Sequence, residues 1–415
     1  MSWRPSVRAA WAAFWPSRLI VFGVGIWVTI SGFIPNVIGE SPSLSHPFAA
    51  WPGHNLLDLV FSPLAKWDAQ HYLAIAYDGY AQNFEGLPPV ENRPAFFPLY
   101  PGLVHLLSGL GASRGLILLV AYAISLACFF AALTLLHRLT TIEVGERFAG
   151  PTLLLLAFFP TALFFGIPYS ESLFLLLAVA AFLAARTGHW AEAGIVIALA
   201  SATRVPGLLL VVPVALLYLY GPRADREPDR EGGGWRPRYR LRPNLAWLAL
   251  APLGLITFSA YLHFTLDDWF AWNHAQAVFD RHTVDPLSGI WAGFREAGRG
   301  IGHFATSSYQ GTFDYLNVMQ LFFTMFAVVG GIAMLRTLPV AYGAWVLVSL
   351  VPIFTSQKPD IPYWSSARFV VVLFPLFIWL ATVSEKRGWT TRLVALFAAG
   401  MAVFTAQFVL WSFVA

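Results

Sequence analysis

The chain has 415 residues, of which 57% are hydrophobic and only 12% charged, with a mean hydropathy of +0.63 and a net charge of +4. Soluble proteins run at roughly 45–50% apolar and about 25% charged, so a globule of this composition could not cover its surface with polar groups. The apolar residues fall in blocks of about 17 to 25, enough to cross a bilayer core of roughly 30 Å, and this predicts an all-α polytopic membrane protein. Its 17 tryptophans, 14 tyrosines and 35 phenylalanines gather near the block ends, where amphipathic rings suit the headgroup region. The positive charge then follows topology and implies no nucleic-acid partner. The single cysteine, Cys128, sits inside an apolar block, so disulfides play no part.

The first apolar block follows Arg4 and Arg8 and has the flanks of a signal peptide. No small-residue cleavage site follows it, so it is read as a spanning helix over about 14–34. The next segment, 35–113, is too polar and proline-rich to span. It sets Lys66 and Arg93 against Glu40, Asp58, Asp68, Asp78, Glu85 and Glu91, which places it outside by the positive-inside rule. A helix over about 114–136 returns to a short inner loop, HRLTTIEVGER. Helices over about 149–167 and 171–186 follow, joined by the outer PYSES turn.

The block from Trp190 to Tyr220 is interrupted by ASATRVPG, and the loop after it, 221–243, carries seven arginines against four acids. That loop belongs in the cytoplasm. Two short helices, about 191–203 and 206–220, that dip in and return satisfy this, with Arg204 and Pro206 at the break; non-helical backbone at such depth must face protein or a wet cavity. A helix over about 244–265 leads to a second outer segment, 267–313, expected to hold amphipathic interfacial helices. Helices near 314–335, 340–355, 366–384 and 392–413, with an outer loop at 356–366, bring the total to about eleven crossings. The amino terminus is then cytoplasmic.

The sequence KWDAQHYLAIAYDGY reads as a short helix ending at Gly79, with His71 and Tyr72 on the face of Asp68 at three and four residues onward. Asp68 is either a capping carboxylate at that helix start or a catalytic acid, and spacing leaves both open. Asp78 reads as part of an Asp-Gly turn. The rigid aromatic stretch PAFFPLYPG is equally a membrane anchor or a lipid-contacting wall. Arg204 and Arg368 lie in or beside helices, where an ionisable group is costly and faces a partner or a watery path. Glu171 starts a helix and is either a site residue or a group that satisfies free amides. Lys66, Arg93 and Lys358 are outer-loop cations and alternate phosphate ligands. The ten histidines form no metal motif, and no Walker loop or GxSxG elbow is present, so neither a metal nor another cofactor is expected.

WDAQHYLAIAYDGY followed by AFFPLYPGLV resembles the first luminal loop of the PIG-V family, whose members add the second mannose to glycosylphosphatidylinositol anchors. FFPTALFFGIPYSESLF, HWAEAGIVIALASATRVPGLLL and SSARFVVVLFPLFIW then resemble further family stretches in the same order. The resemblance runs in patches from about 66 to 380. It implies a GT-C-type glycosyltransferase fold with two large extracytoplasmic loops, and a polyprenyl-phosphate sugar donor, by resemblance mannose, used on the outer face of the cell membrane. The catalytic acid of the first outer loop carries over to Asp68 of the Trp67-Asp68 pair. The arginine-rich inner loop and alanine-rich composition suggest a GC-rich bacterial source, with a glycolipid or glycan acceptor.

Chemistry agrees with the resemblance. A phosphate leaving group needs little protonation, so one carboxylate acting as base can suffice, with cations facing the departing phosphate. The expected reaction is an inverting single displacement, with Asp68 as base and Arg204 and Arg368 as a phosphate clamp. The competing reading is a transporter or flippase of a glycolipid, which would use the same broken helix but needs no long outer loops.

Overall fold

The computed structural model describes residues 3–31, 56–81, 89–230, 236–306, 312–412 and 414. Glu40 and Glu85 of the outer segment lie outside the described residues. The chain is helical throughout, and among the described residues the only sheet is a pair of two-residue strands.

Helix α1 (Arg4–Ile30) starts earlier than its hydropathy implies, because Pro5 suits a first helical turn and Ser6 Oγ lies 3.2 Å from His137 Nδ1. The segment expected to lie outside folds as α2 (Leu56–Phe61), a 3₁₀ turn at Ser62–Leu64, α3 (Asp68–Asp78), a 3₁₀ turn at Val90–Ala95 and α4 (Leu99–Ser108). Next, α5 (Arg114–Val144) and α6 (Glu146–Ala157) absorb the stretch HRLTTIEVGER, expected as a loop. Nothing in that stretch stops a helix before Gly145, whose φ of 99° is the bend between the two. The following apolar block is broken at 158–161 around Pro160, turns through a 3₁₀ segment at Ala162–Gly166, and resumes as α7 (Glu171–Thr187).

The block after α7 forms α8 (Trp190–Ser201), α9 (Pro206–Leu209) and α10 (Val211–Tyr220), so the expected break at Arg204 is present. The two arms run as a hairpin. Trp190, at the start of α8, stacks edge-on against Tyr218 near the end of α10 at 4.6 Å, and Ala224 N–H donates to Arg186 O beyond both arms. At the tip a Cβ on Gly207 would lie 2.0 Å from Ala200 O, so only glycine permits this approach. The carbonyl of Ala202, released by the break, accepts from Leu99 N–H at 3.0 Å. The irregular backbone is therefore satisfied by the outer segment, as a low-dielectric setting requires.

A 3₁₀ segment at Pro243–Leu250 runs into α11 (Leu253–Leu266), and the second outer segment follows as α12 (Ala271–His274), a 3₁₀ turn at Ala275–Phe279, β1 (His282–Thr283) and α13 (Pro286–Thr306). Helix α13 buries a narrow stripe of small residues, Gly289, Gly293, Ala297 and Gly300, while Leu287, Trp291 and Phe294 stay exposed beside Arg295 and Arg299. That is the amphipathic pattern of a helix lying at an interface. The rest comprises α14 (Thr312–Thr337), α15 (Val340–Ser349), α16 (Val351–Thr355), β2 (Ser356–Gln357), α17 (Ser366–Val371), α18 (Pro375–Lys386) and α19 (Thr390–Val409). The block expected as one helix over about 366–384 is split at 372–374, and Pro375, which lacks an N–H to bond back across the break, takes the first position of the next helix. Strand β1 pairs antiparallel with β2, His282 opposite Gln357 and Thr283 opposite Ser356.

Among the described residues five helical stretches are long and apolar enough to cross a membrane: Arg4–Ile30, Arg114–Val144, Pro243–Leu266, Asp314–Thr337 and Thr390–Val409. Four further apolar helices, Leu99–Ser108, Trp190–Ser201, Pro206–Tyr220 and Val340–Thr355, are shorter than a single spanning rod. Phe159, at the α6 break, packs against Phe323 of α14, Phe377 of α18 and Phe397 of α19. The molecule is a multi-pass, all-helical membrane protein.

Candidate active site

Helix α3 opens with a backbone that L-residues avoid. Trp67 has φ 57° and ψ −125°, which costs of order 1–3 kcal/mol for a non-glycine residue, and packs its ring on Trp411 at 5.5 Å. The turn is fixed by Tyr169, whose hydroxyl donates to Lys66 O and accepts from Asp68 N–H, both at 3.1 Å. Asp68 is the first residue of α3, yet no side-chain capping bond is formed there. Its place in the first turn still lets the helix dipole favour the Asp68 carboxylate. Its Oδ2 accepts instead from Arg368 Nη1 at 2.5 Å.

Arg368 sits on α17, which begins after a buried residue in the left-handed conformation, Ser365 with φ 66°. Its Nε is 3.3 Å from Glu171 Oε1, and the same oxygen accepts a short charge-assisted bond from Arg204 Nη1 at the hairpin tip. Glu171 is 1% exposed, so its charge is tolerable only because two guanidinium groups meet it. Phe369 separates the two cations, with Arg204 Cζ 4.8 Å and Arg368 Cζ 5.4 Å from its ring centre. Asp68, Glu171, Arg204 and Arg368 thus form one cluster drawn from four distant stretches. Burial pushes the Asp68 carboxyl upward, but the charge and hydrogen bond of Arg368 outweigh this and hold it below the usual carboxylate range.

His71 and Tyr72 part company. His71 stacks on Phe96 at 4.5 Å and 10°, burial pulls its pKa down to about 4, and its Nδ1 has no hydrogen-bond partner among the described residues. It is a neutral imidazole with an unused polar atom beside Asp68. Tyr72 has its hydroxyl 2.8 Å from Ser170 Oγ, next to Glu171, and interacts electrostatically with Glu171, Arg204 and Asp68.

The alternate cations are placed elsewhere. Lys66 is buried and donates to Val409 O at the end of α19, with its ammonium 4.6 Å from the Trp411 ring centre. Arg93 donates to Gly79 O at 2.8 Å, closing the end of α3. Lys358 lies over Trp364 at 4.3 Å. All three have structural contacts that account for them. A cation the sequence did not single out, Arg281, contributes to the field at Asp68. Nothing in the sequence marks it as a site residue, because Asp280 and His282 flank it as in a solvated turn. Among the described residues no group of His, Cys, Asp and Glu is arranged to hold a metal ion.

The fold is that of a membrane-embedded helical protein with two acids, Asp68 and Glu171, and two guanidinium groups, Arg204 and Arg368, gathered beside a helix break. Residues 36–219, which include Asp68, Glu171 and Arg204, match the family described as mannosyltransferase (PIG-V), and the chain is related to that family. It is 28% identical over 220 residues to GPI alpha-1,6-mannosyltransferase 2 of Mus musculus, covering 50% of this chain and 42% of that one. It is 32% identical over 143 residues to GPI mannosyltransferase 2 of Drosophila pseudoobscura pseudoobscura, covering 32% and 29%. The matches span less than half the length of these relatives. The fold is similar to a crystal structure of the Archaeoglobus fulgidus oligosaccharyltransferase with TM-score 0.43 and 13% identity, over 94% of this chain and 53% of that one.

Proposed function

We propose that the protein is a GT-C-type glycosyltransferase that moves a sugar, mannose, from a polyprenyl-phosphate donor to a glycolipid or glycan acceptor on the extracytoplasmic face of the cell membrane. One observation carries the reading: the Asp68 carboxylate lies against Arg368 and, through Glu171, against Arg204, inside a chain related to mannosyltransferases. In the reaction the acceptor hydroxyl attacks the anomeric carbon and gives its proton to Asp68. The bond from that carbon to the phosphate oxygen breaks, and its electron pair leaves with the polyprenyl phosphate. The configuration inverts because the nucleophile enters opposite the leaving group. Arginine suits the departing phosphate because its planar fork matches two oxygens and stays charged.

An acid held down by Arg368 is a weak base, so the resting contact restrains Asp68. A donor phosphate competes for the same guanidinium. As Arg368 turns to the phosphate, Asp68 loses its main stabilising charge and its basicity rises when the acceptor needs it. His71, neutral and with a free ring nitrogen, is placed to hold an acceptor hydroxyl. The break in the α8–α10 hairpin, which a carrier would also use, is closed by Leu99 and by Glu171, and this favours a fixed site.

The test is transfer from polyprenyl-phosphate mannose by detergent-purified protein. General-base assistance is worth about 10²- to 10⁴-fold, so Asp68→Asn should lose nearly all turnover with the fold intact. A variant that keeps more than about a tenth of wild-type transfer eliminates Asp68 as the base.

A further inference from the structure

The second outer segment lies across the face that carries Asp68. Trp272 donates its indole N–H to Ser259 Oγ at 3.1 Å and packs on Phe97 at 6.2 Å. Phe279 then meets His71 at 5.8 Å and Phe96 at 5.9 Å, both edge-on. Asp280 takes a left-handed turn with φ 57°, and the β1–β2 ladder fastens the residues that follow to Ser356–Gln357, just before the segment leading to α17. Arg281 lies between these two anchors. Its charge interacts with Asp68, Arg204 and Arg368 at once.

What distinguishes Arg281 from the other two arginines is that, among the described residues, no carboxylate forms an ion pair with it, although Asp68 acts on it at longer range. Arg204 has Glu171, and Arg368 has both Asp68 and Glu171. The acid beside Arg281, Asp280, is 3.2 Å from His282 Nε2 instead. The one hydrogen bond from the Arg281 guanidinium is a long contact of 3.5 Å to Gln276 Oε1. A fork with five donors is therefore held at the site, partly buried, with most of them uncommitted among the described residues. Burial lowers its pKa to about 10, with repulsion from Arg368 and Arg204 adding to this and Asp68 opposing it, so at neutral pH it remains a cation under repulsion. Three guanidinium groups thus face two carboxylates. The cluster has one positive charge more than it can neutralise, which is the charge of one phosphodiester.

We propose that Arg281 is the residue that captures the phosphate of the lipid-borne donor, with the strap from Phe279 to β1 holding it over the Asp68–Arg368 pair. This rests on the donor reading above. Arg204 and Arg368 are already neutralised at rest, so an incoming anion gains most from the unpaired charge. Once the phosphate is held there, Arg368 is close enough to exchange Asp68 for a phosphate oxygen. Arg281 is thereby the first contact and Arg368 the second.

The experiment compares binding of a polyprenyl monophosphate, the uncharged polyprenol and inorganic phosphate to the full chain in detergent. Wild-type protein should prefer the polyprenyl phosphate over the polyprenol, and neither Arg281→Gln nor Arg281→Met should retain that preference; each should reduce it at least about tenfold, or about 1.4 kcal/mol, while polyprenol binding and the thermal midpoint stay near wild type. A preference that survives both substitutions overturns the proposal and leaves the donor reading standing. Wild-type protein with no preference overturns both. Inorganic phosphate that competes as well as the lipid phosphate overturns the assignment to a lipid-borne donor, making Arg281 a site for free anions.

Discussion

Arg368 Nη1 and Asp68 Oδ2 are 2.5 Å apart although 300 residues separate them in the chain. The contact closes the carboxyl-terminal third of the molecule onto the segment that holds α3, and it occupies one of the two Asp68 carboxylate oxygens.

Asp68→Asn should therefore separate chemistry from stability. Removing one member of a buried pair costs up to about 3–5 kcal/mol, but Asp68 is 28% exposed and Arg368 keeps Glu171, so the loss should be well below that. Transfer activity should nevertheless fall by at least about a hundredfold. Thermal unfolding and transfer assays on the same preparation check this. A large drop in the midpoint with activity retained per folded molecule would make Asp68 structural.

The pH dependence of stability has a definite sign. Because the folded-state pKa of Asp68 is depressed, its pairing contributes stability that is full above the unfolded value of about 3.9 and is lost as pH falls through the lower folded value. Below about pH 4 the thermal midpoint of wild-type protein should fall more steeply than that of Asp68→Asn. Parallel curves would mean that the pair adds nothing to folding.

Arg204 and Glu171 should behave as a unit. Arg204→Gln or Glu171→Gln alone leaves a desolvated charge, whereas the double variant removes both, so the two effects should fall short of additivity by about 0.5–3 kcal/mol in thermal or denaturant unfolding. Arg204→Lys keeps the charge but loses the fork, and should weaken polyprenyl-phosphate binding severalfold. Unchanged binding in that variant removes Arg204 from the donor site.

Topology is open to direct labelling. In a Cys128→Ser background, cysteines at the exposed positions Glu91 and Arg230 should differ, the first reacting from outside intact cells and the second only after permeabilisation. Equal labelling from outside would contradict an outer 35–113 segment and a cytoplasmic 221–243 loop.

Much of this site could be read from the residues alone. An acid after a tryptophan at a helix start, an arginine at a helix break and an arginine opening an apolar block are each unusual enough to notice, and Asp68, Arg204 and Arg368 do meet. Their pairing was not legible, because nothing local to Glu171 or Arg368 encodes a partner hundreds of positions away. Arg281 was missed for the opposite reason: flanked by Asp280 and His282, it reads as a solvated polar turn. Helix boundaries failed where hydropathy is silent about backbone. The apolar runs through Pro160 and Pro375 count as continuous on a hydropathy scale, yet the helix is interrupted before each of these prolines, while Pro16 is carried inside α1 and the polar stretch after His137 stays helical up to Gly145. Lys66 and Arg93 resembled phosphate ligands, but both close helix ends by binding carbonyls.

The sharing of one oxygen, Glu171 Oε1, between Arg204 and Arg368 constrains how such a sequence can diverge. A lineage that abandons Glu171 first strands the charge of Arg204 and leaves Arg368 to Asp68 alone, and one that abandons Arg204 first leaves the glutamate dependent on a residue needed elsewhere. Neutral drift through single substitutions is therefore closed at these positions, and descendants that change them should do so in sets. A homologue that lacks Arg204 but keeps Glu171 would be expected to carry a replacement cation at another position that reaches the same oxygen.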